Sequence, residues 1–374
     1  MNSRSVFVGG FIALFFVSLF LFYFYLRPDK FSLSALFQSV VITLPAIFYL
    51  LIRNNRKSNT ADTIGIYTSL SPIVSAVVFA VVAVSLLSID IDSLEITRNT
   101  AREENIFIRL INLHIVLMLF VCIYTFAKAK KYNKPPNYFL ITLAFALSFS
   151  IALLEGRRTS ILIPIILIGL FSVTSSSNTK DTIKKSLLFL FLFIFLFVLI
   201  TAIRSPNITQ LDFLFRAILS RLFNPGHMIL EVFTQNDLAF KTGTIEKIIE
   251  RMGYISGLNG YDSNTNEFGI YYGFLSPSNK VVGINPGVVT ELFLAYGWFF
   301  YVPLFLLFEF SFLVMKLYER ILFKSDLFVA VLIVHGMQME VPYTIGVLVK
   351  LFVVGVIIYG LSWLLPKRKV CDKN

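Results

Sequence analysis

Long apolar runs with short polar connections between them make up most of this chain. Each run is about as long as a helix needs to cross the hydrocarbon core of a bilayer. Because lipid offers backbone groups no hydrogen-bond partner, runs of this length must cross as helices. The pattern therefore predicts an all-α fold, a polytopic membrane bundle of about 10 transmembrane helices. The predicted spans are 6–26, 33–52, 64–88, 106–127, 138–154, 159–173, 186–203, 288–315, 326–341 and 344–365.

Composition and charge support the same class of protein. Of the 374 residues, 56% are hydrophobic and 15% are charged, which excludes a soluble domain of ordinary composition. A net charge of +11 would suit a nucleic-acid partner, but the cations follow another rule. With a cytoplasmic amino terminus, 18 of them fall in cytoplasmic segments and seven in the short loops of the opposite face, as the positive-inside rule requires. The chain is predicted to have both termini in the cytoplasm and to bind no nucleic acid.

One long polar segment, 204–287, divides the chain into three parts. Residues 1–203 form an amino-terminal bundle of seven spans, and residues 288–374 form three spans and a basic cytoplasmic tail. Counting crossings from the amino terminus places the segment 204–287 on the non-cytoplasmic face as one large loop. The turn Glu155-Gly156-Arg157-Arg158 falls on the same face. Chemistry is therefore expected on one side of the membrane.

The large loop begins with an amphipathic helix at 211–222, which is typical of a helix lying in the membrane interface. Arg204, Arg216 and Arg221 are thereby expected near headgroup level, where phosphate is found. His227 follows the Asn-Pro-Gly sequence that ends this helix. Farther along the loop, the faces of tyrosine rings and the amides of asparagines suit the binding of a sugar. The alternative is that this stretch is a turn-rich connector ordered by its own tyrosines. The tyrosines predicted to contact a glycan are Tyr254, Tyr261, Tyr271 and Tyr272.

Ionisable residues also fall inside the predicted spans. Glu291 lies about 5 Å along its helix from the loop, and such a residue is by default functional or paired within the bundle. His335, Glu340 and Lys350 are expected to form a polar cluster lining a cavity, with plain interhelical hydrogen bonding as the alternative. Glu309 lies near the cytoplasmic end of its span and needs no function.

Asp90 and Asp92, on the outer face, could share a divalent cation because one residue separates them. Their loop also carries Glu95, Glu103 and Glu104, which favours a solvated acidic turn. No metal is predicted.

Two short motifs mark the outer face: Gly156-Arg157-Arg158, and Asn285-Pro286-Gly287 with Glu291 and Gly297 after it. With the many spans and the large late loop, they resemble the Wzy-type polymerases of O-antigen and capsule repeat units, relatives of the O-antigen ligases. The resemblance implies a glycosyltransferase of the bacterial inner membrane. It would transfer a growing glycan from undecaprenyl diphosphate to the incoming lipid-linked repeat unit on the periplasmic face, without metal or cofactor. Undecaprenyl-diphosphate-linked oligosaccharide and membrane lipid are the implied partners, and a chain-length regulator protein is compatible with them.

The chemistry assigns roles to the charged residues. A diphosphate leaving group needs cations as the glycosidic bond breaks, and arginine binds phosphate through a bidentate fork. The acceptor hydroxyl needs a base, for which Glu291 and His227 lead over Glu155 and Asp212. Headgroup anchoring or an acidic partner is the alternative for each arginine. The arginines predicted to bind the diphosphate are Arg157, Arg158, Arg204, Arg216 and Arg221.

Two other functions stay open at this point. One is a ligase that moves the finished glycan to another acceptor, and the other is a flippase or transporter whose arginines line a path. Charge concentrated on one face favours an enzyme over a flippase. The polymerase family has been described with an arginine, ten residues and a glycine in its outer loops. Arg158 and Gly169 have that spacing, but Gly169 falls inside a predicted span, so the match is interpreted as coincidence.

Overall fold

The computed structural model describes residues 3–21, 32–54, 139, 169, 179–204, 287–321, 325–338 and 341–364. In these residues all regular structure is helical, without strands, which confirms the helical class for this part of the chain. The helices are α1 (Ser3–Leu21), α2 (Leu33–Asn54), α3 (Thr179–Arg204), α4 (Val288–Tyr296), a 3₁₀ turn (Gly297–Phe300), α5 (Tyr301–Ile321), α6 (Ser325–Met337) and α7 (Val341–Leu364). The predicted spans 64–88 and 106–127 lie outside the described residues, as do 138–154 and 159–173 except for one residue of each.

The predicted span 288–315 is not one uninterrupted α-helix. Helix α4 ends at Tyr296, and Gly297 takes a φ of 55°, a left-handed conformation that residues with a Cβ rarely adopt. The chain then makes a 3₁₀ turn before α5 begins at Tyr301. Two helical stretches of the described residues, Leu33–Asn54 and Val288–Glu319, are long and apolar enough to cross a membrane.

Aromatic rings from α1 and α5 form the centre of the packed core. Phe308 is fully buried, and the rings of Phe7 and Phe11 meet it edge-on at centroid distances of 6.1 and 5.3 Å. Phe7 also meets Phe312 edge-on at 5.5 Å. Edge-to-face contact suits the positive ring edge and negative ring face, so these pairs fix how α1 lies on α5.

Contacts between α2 and α5 show that the two helices run in the same direction. Tyr301 Oη donates to the carbonyl of Ile42 at 2.8 Å. One to two turns farther along both helices, the ring of Tyr49 stacks on Phe305 at 4.4 Å. Helix α1 runs the opposite way, because its start contacts the end of α2, where Ser5 Oγ lies 3.4 Å from Asn54 Oδ1.

Helix α5 packs closely against α7 at a glycine. A Cβ placed on Gly355 would lie 2.6 Å from Leu317 Cδ2 and 3.0 Å from Tyr318 Cε2. The Tyr318 ring is held in place, because its hydroxyl donates to the carbonyl of Leu351 at 2.9 Å. Small residues of this kind let two helices approach closely, as they do in membrane bundles.

Helix α2 is apolar on two opposite faces. One face is buried against the bundle and includes Ala35, Ile42, Ala46 and Leu50. The other face is exposed, although it is just as apolar. Its exposed apolar side chains are Leu33, Phe37, Val41, Leu44, Phe48, Leu51 and Ile52.

Helix α3 exposes a broad apolar face. Charged residues stand at its two ends, with Lys180, Asp181, Lys184 and Lys185 at the first and Arg204 at the last. Gly169 is helical and buried, and a Cβ there would lie 2.9 Å from the Phe189 ring of α3, as fits a glycine inside the bundle. The exposed apolar side chains of α3 are Ile183, Leu187, Leu188, Leu190, Phe191, Leu192, Ile194, Phe195 and Leu199.

Candidate functional site

Three helix ends meet where the chain returns from the polar segment. They are the first turn of α4, the last turn of α6 and the first turn of α7. A carboxylate oxygen of Glu291 on α4 accepts the backbone N–H of Val341 on α7 at 2.6 Å. Thr344 Oγ1 on α7 donates to the carbonyl of Gly336 on α6, also at 2.6 Å. We call this place the helix-end corner and define it by Thr290, Glu291, His335, Gln338 and Thr344.

The geometry of α4 follows from the two glycines at its ends. Gly287 has a φ of 76°, so it turns the chain sharply, and its carbonyl accepts the N–H of Glu291 at 3.0 Å. Gly297 follows the last residue of this nine-residue helix. All seven residues from Val288 to Leu294 are buried, so even the polar pair Thr290 and Glu291 faces protein.

Glu291 is only 5% exposed, and its carboxylate stabilises the start of α7. The first N–H groups of a helix have no partner within that helix, and they lie at the positive end of its dipole. Val341 is the first residue of α7, and its N–H is paired with the carboxylate. Glu291 is therefore paired inside the bundle, one of the two states predicted for it. Its role as a base stays a prediction.

Thr290 is the exception among the buried hydroxyls of the described helices. Ser39, Thr43 and Ser311 each donate to the carbonyl four residues earlier, at 2.7 Å, and Thr344 donates to α6. Thr290 Oγ1 is buried and has no hydrogen-bond partner. Because a buried polar group without a partner costs free energy, such atoms are rare and call for an explanation.

His335 is the second residue of the corner with unused hydrogen-bonding capacity. Its side chain shares a hydrogen bond with the side chain of Gln338. The backbone N–H of Gln338 also donates to the His335 carbonyl at 3.2 Å and so closes the end of α6. Nε2 of His335 is buried and has no partner, which leaves Nδ1 to make the bond to Gln338. One ring nitrogen of His335 is thus hydrogen-bonded, and the other has no hydrogen-bond partner.

A second polar cluster joins α2 to α5, and both oxygens of its carboxylate have partners. A carboxylate oxygen of Glu309 accepts from Arg53 Nη2 at 2.6 Å, and the other accepts from Tyr49 Oη. The Arg53 guanidinium also lies 5.9 Å from the ring centroid of Phe312. We call this set, Tyr49, Arg53 and Glu309, the ion cluster. Glu309 was expected to need no function, and the structure gives it a packing role.

Most other predicted site residues lie outside the described residues. Arg204 is the last residue of α3 and Lys350 lies within α7. Where the structure describes the chain, no three His, Cys, Asp or Glu side chains are grouped so that they could hold a metal ion. The predicted residues outside the described ranges are Asp90, Asp92, Glu155, Arg157, Arg158, Asp212, Arg216, Arg221, His227, Tyr254, Tyr261, Tyr271, Tyr272 and Glu340.

Sequence reasoning did not single out Thr290 or Gln338. A threonine in an apolar helix usually bonds to its own backbone, so nothing in the sequence distinguishes Thr290 from Thr43. Gln338 follows the end of α6, and only its position relative to the imidazole makes it significant.

Comparisons of the chain with protein-family models, with curated proteins and with solved structures give no match.

Proposed function

We propose that this protein is a multi-pass glycosyltransferase of the bacterial inner membrane that polymerises undecaprenyl-diphosphate-linked oligosaccharide repeat units on the periplasmic face. The observation that carries the proposal is the helix-end corner. It holds a buried carboxylate, Glu291, and two unused polar atoms, on Thr290 and His335, in helix turns that pack against the start of α7, where the large polar segment rejoins the bundle. Polar atoms with unused capacity are expected where a polar substrate binds.

The exposed surfaces of α2 and α3 support a membrane location. Continuous apolar faces of this size are unfavourable in water and are uncommon on soluble monomers. On α3 a broad exposed apolar face is bounded by charges at both ends, as in a span with polar ends in the headgroup regions.

The relative directions of α2 and α5 support the proposed topology. Both run the same way past each other, as the contacts of Tyr301 with Ile42 and of Tyr49 with Phe305 require. If both cross one membrane, the chain must cross it an odd number of times between them. The five spans predicted between residues 55 and 287 meet this condition, and they leave the helix-end corner and the large loop on the same side.

The proposed reaction exchanges one glycosidic bond for another. The bond from the donor sugar to the diphosphate oxygen breaks, and the electron pair leaves with undecaprenyl diphosphate. A hydroxyl of the incoming repeat unit bonds to the same carbon, and its proton passes to a base, for which Glu291 and His227 are proposed. No cofactor or metal is required for the exchange to balance.

The arginines are proposed to bind the diphosphate. Charge develops on its oxygens as the bond breaks, and guanidinium groups already in position stabilise it without further reorganisation. Arg157 and Arg158 are the main candidates, with Arg204, Arg216 and Arg221 at the ends of the large loop. Tyr254, Tyr261, Tyr271 and Tyr272 are proposed to contact the glycan.

The purified full chain in liposomes, supplied with lipid-linked repeat units from the source strain, tests this function. We expect a ladder of glycans that grows without nucleotide sugar and in the presence of a chelator. Transfer of a glycan to a second acceptor without a ladder would indicate a ligase. Movement of intact lipid-linked units between leaflets, without any new glycosidic bond, would indicate a flippase and contradict the proposal.

A further inference from the structure

We infer that Thr290 and His335 form a binding site for a neutral hydroxyl group of the acceptor glycan, one that does not itself react. The inference rests on the proposed function and adds a subsite to it. A sugar hydroxyl held here would place the acceptor ring beside Glu291, the next residue after Thr290 on α4. The two residues would therefore set how the acceptor enters the reaction.

The unused atom of Thr290 is the first support. Thr290 is 1% exposed. Four other buried hydroxyls on the described helices each donate a hydrogen bond to a backbone carbonyl. The Thr290 hydroxyl has no such partner. It can therefore both donate to and accept from a bound group, and binding would remove the cost of leaving it unpaired.

The orientation of His335 is the second support. Since Nδ1 is engaged by Gln338, the ring is oriented, and Nε2 is buried with its hydrogen-bonding capacity unused. The contact of Glu291 with Val341 and that of Thr344 with Gly336 show that the turns carrying Thr290 and His335 both pack against the first turn of α7. Polar atoms without a partner suit a hydroxyl, which donates once and accepts as well.

The surrounding charge selects a neutral ligand. The Glu291 carboxylate lies in the same turn as Thr290, so an anion bound at the corner would be repelled. Among the described residues no group of side chains suits a metal ion. A hydroxyl meets neither objection. A sugar and a trapped water molecule both provide one, and the experiment below distinguishes them.

The test compares two variants of the site with one control in the full-length protein. Thr290→Val removes the hydroxyl at nearly constant volume, and His335→Asn keeps an amide near the Nδ1 position for Gln338 but removes Nε2. Thr43→Val is the control, because the Thr43 hydroxyl already donates to the carbonyl of Ser39. The probe is the lipid-linked repeat unit from the source strain. Affinity is measured by thermophoresis, and KM and kcat are measured by ladder formation.

We expect each site variant to bind the probe about fivefold to tenfold more weakly, as the loss of one hydrogen bond predicts. KM should rise by a similar factor with kcat little changed, and Thr290→Ser should restore binding. Thr43→Val should bind like the wild type. If a site variant fails to fold, Thr290→Ser and the other site variant still supply the comparison.

Three results would overturn part or all of this account. If the wild type polymerises and both site variants bind as tightly as Thr43→Val, the corner holds only water, and the inference fails while the proposed function stands. If no ladder forms but the site variants still weaken binding, the polymerase is wrong and the hydroxyl site stands. If the wild type binds no lipid-linked unit at all, both are wrong.

Discussion

The helix-end corner and the ion cluster are both polar groups within apolar helices, yet they are arranged in opposite ways. In the ion cluster, both oxygens of Glu309 have donors, Tyr49 and Arg53, and the side chains of Arg53 and Glu309 are 28% and 40% exposed. In the corner, Thr290 and Glu291 are almost fully buried, and two polar atoms lack a partner.

The difference indicates what each region is for. A paired and partly exposed cluster gains a modest amount of stability and leaves nothing unsatisfied. Buried atoms without partners lower the stability of the free protein, and binding of a suitable group would recover that cost. We therefore assign the ion cluster to holding α2 on α5 and the corner to contact with substrate. The predictions below test this division.

The largest effect is expected at the two outer arginines. Arg157→Ala or Arg158→Ala should lower polymer formation at least about 100-fold, because each removes a cation from the departing diphosphate. The measurement is glycan length and yield, with membrane insertion verified by fractionation. Lys316→Ala, which removes a cation from α5, is the control and should polymerise normally. Near-normal glycan length in both arginine variants would remove the diphosphate role.

Glu291 allows packing and catalysis to be separated. Glu291→Gln keeps an oxygen for the N–H of Val341 but removes the charge, so the protein should melt near the wild-type temperature while activity falls about 100-fold, as for loss of a general base. Glu291→Leu should also lose about 2 kcal/mol of stability, because the N–H is left buried without an acceptor. The readouts are thermal unfolding in detergent and ladder yield. An active Glu291→Gln variant would leave His227 as the remaining candidate base.

The packing of α5 on α7 should be sensitive at one glycine. Gly355→Ala places a methyl 3.0 Å from the ring of Tyr318, which its hydrogen bond to Leu351 holds in place, and we expect a loss of about 2 kcal/mol. Gly9→Ala is the matched control, since nothing lies within 4 Å of a Cβ there. Thermal unfolding of both variants checks this, and equal melting temperatures would contradict the close approach.

The smallest effect is expected in the ion cluster. Glu309→Gln removes the charge but keeps acceptors for Tyr49 and Arg53, and because the pair is partly exposed the cost should be about 1 kcal/mol. Polymer formation should be unchanged at temperatures where the variant is folded. Arg53→Gln is expected to have a similar effect, and the double variant should cost less than the sum of the two. Additive losses would mean that the pair contributes nothing.

The helices could be predicted from the sequence better than their breaks and contacts. Apolar runs identified the helices that the structure describes, because length and hydrophobicity decide whether a run is helical in lipid. The break at Gly297 was missed, since the apolar run continues across it and only the positive φ interrupts the helix. The sequence leaves Glu291 either functional or paired within the bundle, and it does not reveal the partner, because a backbone N–H 50 residues away has no signature in sequence.

The sequence could predict that Glu291 belongs to a candidate site, but not which other residues lie beside it. An ionisable residue just inside a span indicates function or pairing, so Glu291 could be selected from its position. Nothing in the sequence distinguishes Thr290 from Ser39 or Thr43, since the difference is that Ser39 and Thr43 each donate to a backbone carbonyl while Thr290 has no partner. Likewise, Arg53 is separated from Glu309 by 256 residues, and only the packing of α2 on α5 joins them.

The most direct test of the proposed activity and of its location is a side-by-side reaction of Glu291→Gln and Glu309→Gln in liposomes. Each purified variant receives lipid-linked repeat units and a chelator, without nucleotide sugar, and glycan length is followed on a gel. The account predicts a ladder from Glu309→Gln that matches the wild type, and almost none from Glu291→Gln although both variants are folded. A wild-type ladder from Glu291→Gln together with a lost ladder from folded Glu309→Gln would contradict it.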